Sequence, residues 1–273
     1  MIDLDHLRRW IGRSDSAQER LSPDLIARLC ATLDQPTPEG TAPLLIHLCL
    51  APPVVPTARL GPDGHPARGG FLPPVALPNR MWAGGAFTFH RPLKSSDNVT
   101  RHSTIRDVVL KEGRSGPLCF VTVDHRIETD GALAIEERQD IVYRPASRPG
   151  PRRGDPAPRG AFHEGVNGAA VVLFRYSALT FNGHRIHYDR PHTVEVEGYP
   201  GLVVHGPLQA TWLCQFAERI AGRAPARFEF RALSPLFDGD AISINADWEG
   251  GELALWTAAE GGPIAMQARA FWE

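Results

Sequence analysis

The sequence predicts an α+β fold of two similar halves, each a helix laid against an antiparallel sheet. Three observations carry this. Strand-like segments come in two blocks, one ending near residue 143 and one starting near residue 227, and turn glycines punctuate them. Each block follows a segment with clear helix signals. A short internal repeat aligns the blocks: Phe87-x-Phe89, Pro92-Leu93 and Asp97-x-Val99 answer Phe228-x-Phe230, Pro235-Leu236 and Asp240-x-Ile242.

The elements follow in chain order. Leu4, Leu7, Trp10 and Ile11 recur at helical spacing and predict a short amphipathic helix over 3–11. Ser22-Pro23-Asp24 starts a second helix: the serine caps, the proline fits the first turn, and the carboxylate favours the positive end. Leu25, Ile26, Leu29 and Leu33 form its apolar face. Residues 51–78 are rich in Pro and Gly and too long for a plain connection, so they are either functional or mobile. Strands are expected around Phe87 and Phe89, then over 99–110, 118–127 and 133–143. A Pro/Arg-rich connection over 145–160 reads as a solvated linker between an N-terminal half, 1–144, and a C-terminal half, 161–273. Gly206-Pro207 opens a helix that is apolar on most sides and ends at Gly222, so it should be buried against a curved sheet. Strands are expected over 227–233, 241–248, 253–259 and 264–272.

Composition narrows the function. Hydrophobic residues make up 42% of 273, enough for a sizeable core, and a net charge of −2 gives no electrostatic case for nucleic acid or an anionic membrane. No apolar run is long enough to span a bilayer. Cys30, Cys49, Cys119 and Cys214 are widely spaced, which argues against a zinc site or a disulfide framework and fits a reducing cytoplasm. Met1 is followed by Asp3, Asp5 and His6, unlike a signal peptide. P-loop, dinucleotide-glycine and Gly-x-Ser-x-Gly motifs are absent from the sequence.

The chemistry concentrates between Arg175 and Asp189, RYSALTFNGHRIHYD. Two imidazoles, an amide, hydroxyls and a carboxylate fall within one segment that also holds Phe181 and Ile186. A core strand would avoid so many polar groups, and a plain surface loop would not need the apolar ones.

This segment resembles the MaoC-like, (R)-specific enoyl-CoA hydratase family of the hot-dog fold, which carries an Asp five residues before a catalytic His. His187 falls on that His and Asn182 on the Asp, while His184 and Arg185 replace the family's Asn-Pro pair. The variant, with the later Gly201–Leu213 piece GLVVHGPLQATWL, is similar to the branch that includes mesaconyl-CoA and itaconyl-CoA hydratases and 3-hydroxyacyl-thioester dehydratases. Met81-Trp82-Ala83-Gly84-Gly85 resembles the family's N-terminal repeat. The resemblance implies a double hot-dog: two antiparallel sheets, each wrapped around a central helix. It further implies a hydro-lyase acting on an acyl-CoA thioester, with no cofactor beyond the CoA that the substrate carries. A short branched dicarboxylyl-CoA is the expected substrate and a homodimer the expected assembly. A 3-hydroxyacyl-thioester dehydratase, a hot-dog thioesterase and a non-catalytic acyl-CoA binding module are the alternatives.

Hydration of an enoyl thioester needs a base for water, a proton for the α-carbon, and donors for the enolate oxygen. His187 is the expected base, because imidazole titrates near neutrality. Asn182 can hold the water without taking its proton. Gly206, heading a helix, is the expected oxyanion donor, as the resemblance also implies. His184, His205 and Asp189 are supporting candidates; on an extended chain Asp189 would share a face with His187. Arg175, Arg185 and Arg190 are candidates to meet a substrate carboxylate.

Overall fold

The computed structural model describes residues 2–113, 116–146, 150 and 152–273. A short helix α1 (Leu4–Arg8) and an edge strand β1 (Ser14–Arg20) precede helix α2 (Pro23–Thr32). Four long strands follow: β2 (Asn79–Phe89), β3 (Asn98–Gly113), β4 (Gly116–Thr129) and β5 (Ala132–Arg144). After the connection come β6 (Phe162–Val166), α3 (Ala170–Leu179), α4 (Gly206–Ala221), and then β7 (Arg227–Ala232), β8 (Ile242–Glu249), β9 (Glu252–Ala259) and β10 (Ile264–Phe271).

Among the described residues ten strands join in one antiparallel sheet, ordered β1-β3-β4-β5-β2-β7-β10-β9-β8-β6. The two five-stranded halves meet at β2 and β7 and mirror each other outward from that seam. The internal repeat marks the seam: Phe87 lies directly opposite Phe228, and Gly85 opposite Phe230. Phe87 stacks on Phe228 and Phe230 at centroid distances of 6.4 and 5.6 Å. The halves are therefore fastened by paired aromatics, an arrangement favoured beyond its buried area. The double hot-dog takes the form of one continuous sheet, its halves hydrogen-bonded edge to edge.

Helix α4 is the core of the second half. Every residue from Leu208 to Ala217 is buried, and Gly222 closes the helix in the left-handed conformation at φ 68°. Two of its buried amides are tied down: Gln209 accepts from Thr257 Oγ1 at 2.8 Å, and Gln215 donates to the Leu44 carbonyl at 2.9 Å, while Gln215 Oε1 is buried without a partner. In α2, Ser22 caps Leu25 N–H at 3.1 Å, and Leu25, Ile26, Leu29 and Cys30 join the same apolar cluster as α4. All four cysteines are free and buried.

Several expectations are corrected. Strands β1 and β6 escape a periodicity search because both are almost wholly exposed, and β6 is only five residues long. Helix α1 ends at Arg8; Trp10 instead turns its ring edge-on to His6 and donates to the Gly70 carbonyl at 3.1 Å. The expected linker is not simply solvated: Arg152 pairs with Asp240, and Ala157 N–H donates to Gly262 O at 2.8 Å. Residues 147–149 and 151 of that connection lie outside the described residues. Among the described residues no helix is long and apolar enough to cross a membrane.

Candidate active site

Helix α3 ends at Leu179, and Phe181 takes a left-handed conformation at φ 50°. That turn reverses the chain, so Asn182 N–H donates to the Ser177 carbonyl at 2.8 Å. The Asn182 side-chain oxygen accepts from His184 N–H at 3.0 Å, which starts a single 3-10 turn over Arg185–His187. The turn buries His184 and His187, the latter only 7% exposed. His187 Nδ1–H donates to the Val203 carbonyl at 2.7 Å, which fixes the tautomer and leaves Nε2 as a lone-pair acceptor.

His205, the residue before α4, is fully buried and stacks on His187 with centroids 3.6 Å apart and planes 19° apart. Its Nε2 is hydrogen-bonded to Ser177 Oγ at 2.9 Å, while its Nδ1 is buried without a partner. Helix α3 thus orients one imidazole, and the strand-like segment before α4 orients the next. Gly206 sits at the positive end of α4. A Cβ on Gly206 would lie 3.3 Å from Trp82 Cε3, so the helix start faces the aromatic of β2. Trp82 Nε1 is itself buried without a hydrogen-bond partner.

The Pro/Gly-rich segment 51–78 supplies the other wall. Gly64, at φ +87°, comes so close to the Gly183 carbonyl that a Cβ there would be 1.8 Å from its oxygen. This contact docks the 61–65 loop on the 182–187 turn. Arg185 N–H donates to Asp63 O at 2.9 Å, and Arg185 Nη1 donates to Pro62 O at 3.2 Å. The His65 ring lies 4.1 Å from the His184 ring, and His65 Nδ1–H donates to Asp63 Oδ2 at 3.2 Å. Asp63, His65 and His184 bring possible metal-ligand atoms within 4.8 Å of one another. The positive charge of Arg80 and the negative charge of the Asp63 carboxylate both act at that point.

Burial sets the electrostatics. It lowers His187 to about 4, against the opposing pull of the Val203 carbonyl. His65 is lowered to about 4 by burial and by Arg80, with Asp63 opposing. His184 and His205 are pushed well below the usual imidazole range, in both cases mainly by burial. Four neutral imidazoles, His65, His184, His187 and His205, therefore follow one another in ring contact at neutral pH. Such a set can accept a proton from water and return it nearby, which is general acid–base chemistry.

The family model for hydroxyacyl-thioester dehydratase type 2 matches residues 45–238, spanning the seam, the 61–65 loop and the histidine turn. The chain belongs to that family. A mesaconyl-C(4)-CoA hydratase of Chloroflexus aurantiacus is 42% identical over 92% of this chain and 96% of its own length. A mitochondrial hydroxyacyl-thioester dehydratase type 2 of Schizosaccharomyces pombe is 28% identical over 69% of this chain and 72% of its own. Among solved structures, HtdX of Mycobacterium tuberculosis superposes with a TM-score of 0.71 at 18% identity, covering 96% of this chain and 100% of that one. Another M. tuberculosis protein, described as having a double hotdog fold, superposes at 0.56 with 17% identity and 95% coverage of each chain. These structural likenesses establish the fold, and membership of the family establishes a hydro-lyase.

Within this family member, the structure brings His187, Asn182, His184, His205 and Gly206 together and separates the rest of the expected set. Asp189 does not orient an imidazole. The chain at 185–187 is a 3-10 turn rather than extended, and Asp189 Oδ2 accepts from Arg185 at 2.9 and 2.7 Å. Its Oδ1 caps His192 N–H at 3.1 Å. Arg185 is thereby occupied, and Arg190 pairs with Asp238. Arg175 is exposed on α3; two residues from Ser177 on a helix, it projects nearly opposite to the hydroxyl that meets His205. Sequence reasoning missed Asp63 and His65. The available signal was the length of the 51–78 segment, which raised a functional role without singling out residues.

Proposed function

We propose that this chain hydrates a short branched dicarboxylyl-CoA, with mesaconyl-C4-CoA as the first candidate and itaconyl-CoA as the isomer to compare. The similarity to the Chloroflexus hydratase over nearly the whole of both chains supports the substrate class. The observation that carries the chemistry is His187: neutral, held by Val203 through Nδ1, with Nε2 free. In the reaction, His187 Nε2 takes a proton from water as the water oxygen bonds to the β-carbon. The C=C electron pair moves to the α-carbon and the thioester oxygen. The Gly206 N–H, at the positive end of α4, meets that oxygen. The proton then passes from His187 to the α-carbon, which restores the thioester and the free base. Asn182, whose carbonyl already holds His184 N–H, offers its amide N–H groups to the water.

On this reading residues 161–273 carry the base and 1–144 complete the pocket, joined through 145–160. No cofactor beyond the substrate's CoA is needed, because every proton in the cycle is carried by water and His187. A cytoplasmic homodimer fits the four free cysteines and the exposed apolar side chains of Val171, Phe174 and Phe181. The dehydratase alternative is the same cycle run backwards and is favoured by the family model itself. The test is loss of enoyl-thioester absorbance with mesaconyl-C4-CoA and crotonyl-CoA, for wild type and His187→Ala. The variant should lose about 10²–10⁴-fold in turnover and still bind the thioester. Near-normal turnover of His187→Ala would end the proposal, and equal wild-type rates on both substrates would favour the general dehydratase.

A further inference from the structure

A dicarboxylyl thioester brings a second negative charge into the site, and the chemistry says where. In a mesaconyl-C4 thioester the free carboxylate is bonded to the β-carbon, the carbon that water attacks. The group that receives it must therefore lie beside the base. The arginines closest in sequence to His187 do not qualify, since Arg185 and Arg190 are held by Asp189 and Asp238 and Arg175 projects from the far side of α3. Arg68 donates to the carbonyls of Val75, Leu77 and Pro78 and staples the 61–78 segment.

Arg80 is different. It is half-buried on β2, two residues before Trp82, so both side chains leave the strand on one face. Trp82 packs against the start of α4 at Gly206. The charge of Arg80 is felt by His65 and His184, whose ring is 5.3 Å from that of His187. Asp63 senses the same charge, yet among the described residues no carboxylate forms an ion pair with Arg80. Directly opposite it across the β2–β5 pair stands Tyr143, whose buried hydroxyl lies near the guanidinium without a well-formed hydrogen bond. A guanidinium without an ion-pair partner and an unsatisfied hydroxyl, side by side next to neutral imidazoles, present donors to an anion.

We propose that Arg80, assisted by the Tyr143 hydroxyl, receives the free carboxylate of a branched dicarboxylyl thioester. This rests on the dicarboxylyl reading given above. It assigns the discrimination between substrates to β2 of the first half, not to the histidine turn. A planar, forked donor suits a carboxylate better than an ammonium would.

The experiment compares two unreactive ligands that differ only at that group. In isovaleryl-CoA a methyl replaces the carboxylate of methylsuccinyl-CoA bearing its thioester at C4. Binding of each is measured by calorimetry to wild type, Arg80→Gln and Arg80→Lys. Wild type should prefer the dicarboxylyl ligand, and Arg80→Gln should erase on the order of 10²-fold of that preference. Arg80→Lys should keep part of it. If wild type shows no preference, the dicarboxylyl reading fails and takes the subsite with it. If wild type prefers the dicarboxylyl ligand and Arg80→Gln keeps that preference, Arg80 is wrong while the reading stands. Equal weakening of both ligands would place Arg80 on the CoA moiety or the fold and also overturn the subsite. Should Arg80→Gln fail to fold, the same ratio measured on Arg80→Lys decides: an unchanged preference refutes the role.

Discussion

Gly64→Ala tests whether the 61–65 loop belongs to the site. The new Cβ would lie 1.8 Å from Gly183 O, where ordinary contact begins at 3.4 Å, so the loop must retreat by about 1.6 Å. The 2.9 Å hydrogen bond from Arg185 N–H to Asp63 O cannot survive such a shift. His65 moves with the loop, and His184 loses its ring neighbour. A displacement of about 1 Å in a positioning element can cost about 10²-fold in rate, so turnover should fall by roughly that factor. The positive φ adds a separate strain of about 1–3 kcal/mol for a residue with a Cβ. Gly131→Ala isolates that second effect, because Gly131 has φ +75° and a Cβ added there would meet nothing within 4 Å. Gly183→Ala, with its closest contact at 2.6 Å, should rank between the two. Enoyl-thioester turnover and thermal melting would be measured on all three. A folded Gly64→Ala enzyme with wild-type turnover would refute the placement of the loop in the catalytic site.

Other expectations follow from the same geometry. With His187 lowered to about 4, the free base is present at neutral pH, and kcat/KM should stay flat as pH falls until it approaches that value. An acid limb centred near the ordinary imidazole value of about 6.5 would show that burial does not control the base. Asp189→Asn removes a partner of Arg185 and no partner of an imidazole, so turnover should remain within about threefold of wild type; a loss as large as that of His187→Ala would restore Asp189 to the catalytic set. Gly206→Val places γ-methyl groups against Trp82, already 3.3 Å from a Cβ, and should cost about 10²–10³-fold by spoiling the oxyanion donor. Unchanged turnover in the folded variant would remove the start of α4 from the site.

Signals local to the chain were readable without coordinates. Pro207 at the first turn and Gly222 beyond the last bound α4, because the preferred backbone angles of those residues act where they stand. Alternating and β-branched runs located eight of the ten strands, and the paired Phe-x-Phe motifs marked what became the seam between β2 and β7. The density of polar side chains between Arg175 and Asp189 singled out the histidine turn, and the family resemblance pointed to His187 within it. Tertiary packing decided the rest. Strands β1 and β6 form through backbone pairing with β3 and β8, and with almost every side chain exposed they leave no periodic trace. The partners of Arg185, Arg190 and Asp189 depend on which charges the folded chain brings within reach. His65 joins His184 only because two glycines let separate loops touch, and the charge of Arg80 acts on both rings only because the fold brings β2 to the start of α4. Residue types and local backbone preferences are written in sequence order, whereas charge compensation and desolvation are properties of the volume that the folded chain encloses.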